Sequence, residues 1–250
     1  MGSRVVGGKV SSNHSWPWVG QLINYKDVAY CGCALIGDEY VVTAAHCFPT
    51  NFGGIDASFY KVMLGSNVNG NGTLFEVSSI SIHPFYSANK RSSQYDIALI
   101  KLAKKVNRTK SLNAICLNRL PVLPYHVCVV AGWGRTRETG AASTELREAF
   151  IPIVPNEICN DFMHYRGRVH TPSSFCAGYS DGSFDACKGD SGGPVMCQIN
   201  GFWELHGIVS WGEGCARRGY PGVYTHVYHM KGWLMLELGK QGKTIDEFYS

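Results

Sequence analysis

The run Gly189-Asp190-Ser191-Gly192-Gly193-Pro194 sets a serine among small residues. Covalent acyl transfer asks for such a hydroxyl on a loop whose backbone amides can point at a developing oxyanion. Alone, the run also fits the G-x-S-x-G elbow of α/β-hydrolases, and a Gly/Ser-rich loop without catalytic meaning has the same composition. The order of partners along the chain rules out the elbow. An elbow enzyme needs its acid and then its histidine after the serine, and the only aspartate after Ser191 is Asp246, beyond His206, His226 and His229. Upstream, Val41-Val42-Thr43-Ala44-Ala45-His46-Cys47 ends an apolar, strand-like run in a histidine, and Asp96 heads another at 97–102. His, then Asp, then Ser is the arrangement that remains, with the imidazole as general base for the serine hydroxyl.

Short elements must hold these residues. The chain has 250 residues, 45% of them apolar and 29 of them glycine. Its apolar stretches, at 40–45, 61–64, 74–82, 97–102, 127–131, 149–154, 194–199, 205–211 and 223–227, are brief and separated by turn residues, which reads as all-β. Helix is expected only as a turn or two at 155–162 and as a terminal amphipathic segment at 228–238, with Trp233, Leu234, Leu236 and Leu238 on its apolar face. No run reaches the length of a membrane-spanning helix, and no internal repeat, low-complexity tract or linker is evident. The formal charge of +4 is spread as the doublets Lys90-Arg91, Lys104-Lys105 and Arg217-Arg218, which gives no basic tract for nucleic acid. Met1-Gly2-Ser3-Arg4 lacks the apolar core of a signal peptide. The 10 cysteines imply a disulfide framework whose connectivity sequence alone leaves open. With sequons at Asn13, Asn71 and Asn107, they point to a secreted glycoprotein.

Val5-Val6-Gly7-Gly8, Trp16-Pro17-Trp18, Thr43-Ala44-Ala45-His46-Cys47, Asp96-Ile97-Ala98-Leu99, Ala131-Gly132-Trp133-Gly134, the run 189–194 and Ser210-Trp211-Gly212 follow one another in a fixed order. In that order the chain resembles the trypsin/chymotrypsin family of serine peptidases, from residue 5 to about residue 239. The resemblance implies two six-stranded antiparallel β-barrels, over about 16–117 and about 118–227, and a terminal helix over about 228–239, with residues 1–4 a propeptide remnant or tag. The active site would lie in the cleft between the barrels. It implies His46, Asp96 and Ser191 as a catalytic triad, Ser210 as a support for Asp96, and the amides of Gly189 and Ser191 as the oxyanion hole.

The primary pocket would have Asp185 at its base, with Ala186, Ser210, Trp211, Gly212, Gly214 and Gly222 around it and Lys188 at its rim. Local sequence also allows Asp185 to be a turn aspartate; its offset from Ser191 carries the pocket reading. A buried carboxylate needs a cationic partner, so cleavage is expected after arginine or lysine. Arginine should be preferred, because Ala186 stands where many relatives carry a serine that helps solvate lysine. Lys188 and the doublet Lys90-Arg91 suggest an acidic preference in the flanking subsites. Cleavage after Arg4 would free the Val5 ammonium to pair with Asp190, so the chain reads as a zymogen.

The family pattern pairs Cys31 with Cys47, Cys128 with Cys197, Cys159 with Cys176, and Cys187 with Cys215. Cys116 matches the position through which many two-chain relatives hold an N-terminal propeptide chain. Such a chain, peptide substrates and proteinaceous serine-protease inhibitors are the expected partners. Cys33 departs from the family, which has a small residue there, and reads as a buried free thiol. A zinc site of Cys31, Cys33, His46 and Cys47 has poor spacing and would consume the general base. No metal or cofactor is expected: the loop 66–76 has only Glu76 as a carboxylate for calcium, and Pro221 stands where sodium-dependent relatives carry tyrosine. A binding protein on the same scaffold is the rival class, and it usually lacks a member of the triad.

Overall fold

The computed structural model describes residues 8–49, 55–89, 92–183 and 186–249. The first barrel consists of β1 (Val19–Asn24), β2 (Ala29–Leu35), β3 (Tyr40–Thr43), β4 (Tyr60–Leu64), β5 (Thr73–Ile82) and β6 (Ala98–Leu102). Its strands neighbour one another in the order β1-β2-β3-β6-β5-β4 and close back onto β1. The second consists of β7 (Val127–Gly132), β8 (Arg147–Val154), β9 (Ser174–Ala177), β10 (Pro194–Ile199), β11 (Phe202–Trp211) and β12 (Gly222–His226). Its order is β7-β8-β9-β12-β11-β10, closing on β7, the same connectivity as the first. All these pairs are antiparallel, and among the described residues closure leaves neither barrel an open strand edge.

Strands β3 and β6 pair with each other and are buried on both faces: Val41, Val42, Leu99 and Ile100 are at most 5% exposed. That is why they read in the sequence as unbroken apolar runs rather than as alternating ones. The pairs β1–β2 and β9 lie outside the expected stretches. Their sequences, VGQLIN, AYCGCAL and SFCA, are diluted by glycine, serine and cysteine, so no run or alternation of bulky residues marks them.

The helix expected at 155–162 is only Asn156–Cys159. Beyond it the Asp161 carboxylate accepts from the amides of Met163 (2.8 Å) and His164 (3.0 Å) and turns the chain away. The terminal helix runs Val227–Gly239 and buries Val227, Met230, Trp233, Leu234 and Leu238. Leu236, expected on its apolar face, is 67% exposed, because the 3.6-residue period places it opposite Leu234 and Leu238.

Disulfides join Cys31–Cys47, Cys128–Cys197, Cys159–Cys176 and Cys187–Cys215. Cys33 and Cys116 are free. Burial of Cys33 inside the first barrel pushes its thiol far above the ordinary range, so it packs as a small apolar residue. The barrels meet through Trp18, whose indole N–H donates to Met196 Sδ at 2.8 Å, and through Gly32 against Gly193. A Cβ on Gly32 would fall 2.9 Å from the Gly193 Cα, so the close approach requires glycine there.

Candidate active site

His46 sits in the single 3-10 turn Ala45–Cys47 that follows β3, and Asp96 lies just before β6. Thr43 pairs with Ala98, so the ends of two adjacent strands bring the side chains together. The His46 ring donates from Nδ1 to Asp96 Oδ2 at 2.7 Å, and its backbone N–H donates to Oδ1 at 2.9 Å. Ser210, on β11 of the second barrel, donates its hydroxyl to Oδ2 at 2.5 Å. Asp96 is 1% exposed. Burial pushes its pKa up, but the His46 hydrogen bond and charge, the Ser210 hydroxyl and the His46 amide outweigh it and hold the carboxyl below its ordinary value. Burial pulls His46 down, and the Asp96 hydrogen bond and charge more than offset it, leaving the imidazole above its ordinary value. A carboxylate can only accept, so Nδ1 keeps the proton and Nε2 carries the lone pair of a base.

Ser191 lies on the loop between the Cys187–Cys215 bridge and β10. The Asp190 N–H donates to the Cys187 carbonyl and the Gly193 N–H to the Asp190 carbonyl, both at 2.9 Å, which folds the loop tightly. The Ser191 carbonyl accepts from Gly32 of β2 at 2.7 Å, which ties the loop to the barrel that carries His46. Gly189 has φ of 100°, a conformation that side chains disfavour. Among the described residues the amides of Gly189 and Ser191 have no acceptor, so both are free to receive an oxyanion. The Ser191 hydroxyl is not hydrogen-bonded to His46 here; such contacts often tighten only when substrate binds.

Beside Ser191 opens a pocket of about 190 Å³, well below the roughly 300–1,000 Å³ of clefts that take a whole ligand, so its size suits one side chain. Ala186, Lys188, Ser210, Trp211, Gly212, Gly214 and Gly222 all line it, with Val223 and Tyr224, which sequence reasoning missed. Lys188 is exposed at its edge. Asp185, Arg4, Val5, Lys90 and Arg91 lie outside the described residues.

Asp190 points the other way. Its carboxylate is buried and accepts from the N–H of Gly134 (2.8 Å) and of Cys187 (3.0 Å). A Cβ on either Gly132 or Gly134 would collide with it, so that glycine pair makes its cradle. Burial pushes Asp190 up to about 6, and the two backbone hydrogen bonds offset only part of the rise. Among the described residues no salt bridge reaches it.

Sequence reasoning also missed Thr225, whose hydroxyl donates to the Asp96 carbonyl at 2.7 Å. In Val-Tyr-Thr-His it carries no signal beyond that of a strand residue. The ligand atoms of Cys31, His46 and Cys47 lie within 4.8 Å of one another, but both sulfurs are spent in a disulfide and are not thiolates. Cys33 is not part of that group.

A family model described as Trypsin matches residues 5–234. The rat protein Transmembrane protease serine 11G is 37% identical over 235 residues, covering 93% of this chain and 55% of its own length. The chain thus spans about half the length of the curated relative it matches.

Proposed function

Because this chain belongs to the trypsin family of serine proteases, we propose that it is an endopeptidase that cleaves after arginine, and less well after lysine, through an acyl-enzyme on Ser191. His46 takes the Ser191 proton at Nε2 as Oγ attacks the scissile carbonyl carbon. Asp96 fixes the tautomer and stabilises the imidazolium, and the Gly189 and Ser191 amides receive the oxyanion. Collapse of the tetrahedral intermediate breaks the C–N bond, and the amine leaves with the proton from His46. Water then repeats the sequence on the ester. The observation that carries this reading is the Asp96 carboxylate, buried and shared between His46 at 2.7 Å and Ser210 at 2.5 Å beside the serine loop. Labelling of Ser191 by a fluorophosphonate probe, abolished in Ser191→Ala, tests it; no labelling of the processed chain would leave the non-catalytic binding protein standing.

The one-side-chain pocket supports a single recognised residue, and Asp185 at its base is proposed to supply the charge that selects a basic one. Asp190, buried and without a cationic partner among the described residues, supports activation by cleavage after Arg4, with the new Val5 ammonium as its partner. An N-terminal propeptide chain bonded through Cys116, which is half-buried and free, follows from the same reading, as does inhibition by proteinaceous serine-protease inhibitors. Four disulfides and the exposed sequon residues Asn13, Asn71 and Asn107 support an extracellular peptidase. Among the described residues no helix is long and apolar enough to cross a membrane. The name of the rat relative, a transmembrane protease, favours a second reading, in which the extracellular domain is tethered to a membrane rather than released.

A further inference from the structure

Asp96 is preceded by a residue in an unfavourable conformation. Tyr95 has φ of 50°, left-handed although it carries a bulky side chain, and such a turn persists only where its surroundings over-determine it. The turn is tight, with the Ile97 N–H reaching back over Asp96 to the Tyr95 carbonyl at 2.9 Å. Its hydrogen-bonded hold comes from the second barrel. The Tyr95 N–H donates to Ser173 Oγ at 3.1 Å, and Ser173 is fully buried. Ser173 Oγ is in turn hydrogen-bonded to His170 Nδ1 at 2.9 Å, and the His170 ring lies against the Tyr95 ring, with centroids 5.2 Å apart. The Tyr95 ring also stacks on His83, with centroids 4.8 Å apart. Beside Ser173, and tied to it by the β9–β12 register and by the His226 N–H to Ser173 carbonyl bond of 2.9 Å, Thr225 grips the Asp96 carbonyl.

We propose that Ser173 and His170 are positioning residues for Asp96: by holding the Tyr95 amide across the barrel interface they fix the turn that aims the Asp96 carboxylate at His46. The inference rests on the catalytic reading given above. Without the Ser173 hydroxyl the Tyr95 N–H loses its partner, and the turn relaxes toward an ordinary conformation. The carboxylate then swings from Nδ1, and His46 samples the wrong tautomer. Ser173 touches neither the pocket nor the serine loop, so substrate binding is unaffected.

The test uses processed chains counted by active-site titration. For Ser173→Ala, kcat should fall about tenfold with KM unchanged, the pattern of an interaction that matters in the transition state alone. The acid limb of the rate profile should move down by about half a pH unit, because a looser Asp96 supports less charge on His46. The titratable groups that face this turn are Tyr86, pushed up to about 12 by burial and then by the Asp96 charge, His83, pulled down by burial, and His170, so the shift is read against the limbs of His83→Phe and His170→Phe. Ser173→Thr, which keeps the hydroxyl, should restore both values. His170→Phe, at a partly exposed position where folding is not at stake, should lower kcat about threefold with KM again constant. The downfield proton resonance of His46 Nδ1–H reads the His46–Asp96 bond without turnover, and it should shift upfield and broaden in Ser173→Ala. Unchanged kcat, acid limb and resonance in both Ser173→Ala and His170→Phe would overturn the proposal. A failure of the parent chain to label at Ser191, with the resonance still sensitive to Ser173, would count against the enzyme reading and not against the clamp.

Discussion

Two carboxylates lie buried within a few residues of the proposed chemistry, and their surroundings push them in opposite directions. Asp96 is met by an imidazole, a hydroxyl and an amide, and its pKa ends below the ordinary value despite burial. Asp190 is met by two backbone amides, and burial wins, lifting it to about 6. Burial alone therefore does not set the charge of an acid; the inventory of donors does. The first site is complete as it stands. The second is a cradle shaped by two glycines around a carboxylate that still lacks a cation among the described residues. We read the first as the permanent half of the machinery and the second as the half that waits for a new N-terminus.

The sharpest way to break that contrast is to neutralise each acid in turn. Asp96→Asn removes the charge that stabilises the imidazolium and admits the wrong tautomer. kcat should fall by about four orders of magnitude, the loss that this exchange produces in the family's template triad. A decrease under tenfold, measured on titrated enzyme, would mean that Asp96 does not orient His46.

Asp190→Asn should instead act differently on the two forms of the chain. In processed enzyme it removes the partner of the Val5 ammonium and disorders the oxyanion loop, with a loss of about a hundredfold to a thousandfold in kcat, the range for a lost oxyanion donor. In the unprocessed chain it should stabilise. The folded pKa of about 6 lies above the unfolded value of 3.8, so the contribution of Asp190 to stability is full below pH 3.8 and is lost as pH rises through 6. Thermal melts of the unprocessed variant should therefore gain on the parent between pH 4 and 7, and melts of the processed variant should lose. Parallel melting curves for both forms would remove the case for a waiting acid.

Buried histidines supply the converse case. Burial, then the His126 charge, pulls His206 down to about 4, and burial, then the charges of His229 and His206, pulls His226 down to about 3. Among the described residues both Nδ1 atoms lack a partner, while His206 Nε2 meets the Glu204 carboxylate at 3.2 Å. A depressed histidine contributes stability that is present above its unfolded value of 6.5 and lost as pH falls toward the folded one. Acidification from pH 6.5 to 4 should cost a few kcal/mol, since each unit of displacement is worth about 1.4 kcal/mol. His226→Gln should flatten the acid limb of the denaturant midpoint against pH, and an unchanged slope would assign acid sensitivity elsewhere.

How legible these sites were follows from how local their chemistry is. The proposed triad residues, the serine loop and the glycines of Ala131-Gly132-Trp133-Gly134 announce themselves, because each sits in a short motif whose residue types the proposed chemistry or a close approach demands. Strands such as Thr73–Ile82 and Pro194–Ile199 were readable from apolar runs. Val19–Asn24 and Ala29–Leu35 were not, since Gly20, Cys31, Gly32 and Cys33 are chosen for a crowded barrel wall and for the approach to Gly193 rather than for bulk. Ser173 and Thr225 were illegible for a different reason: a hydroxyl at a strand end is common, and only the meeting of two barrels gives Ser173 the Tyr95 amide and Thr225 the Asp96 carbonyl to hold.

The smallest expected effect concerns the third acid, Asp185, proposed at the base of the pocket. Its neighbour Ala186 lines the pocket with a methyl group, so it offers no hydroxyl to a short ammonium. Arginine needs no such help, because its planar fork reaches a carboxylate with two parallel hydrogen bonds, whereas a lysine ammonium stops short and relies on solvation by neighbours. Matched peptides differing only in that residue should show a kcat/KM preference for arginine of about tenfold, equivalent to one good hydrogen bond of about 1.4 kcal/mol. Ala186→Ser should narrow the ratio by raising the lysine value and leaving the arginine value near its starting point. The exchange leaves both Asp96 and Asp190 untouched, so kcat for arginine substrates should stay constant while KM for lysine substrates falls. Equal preference in the parent chain would show that Ala186 does not set the ratio, and loss of arginine turnover in Ala186→Ser would show that the pocket wall reaches the serine loop after all.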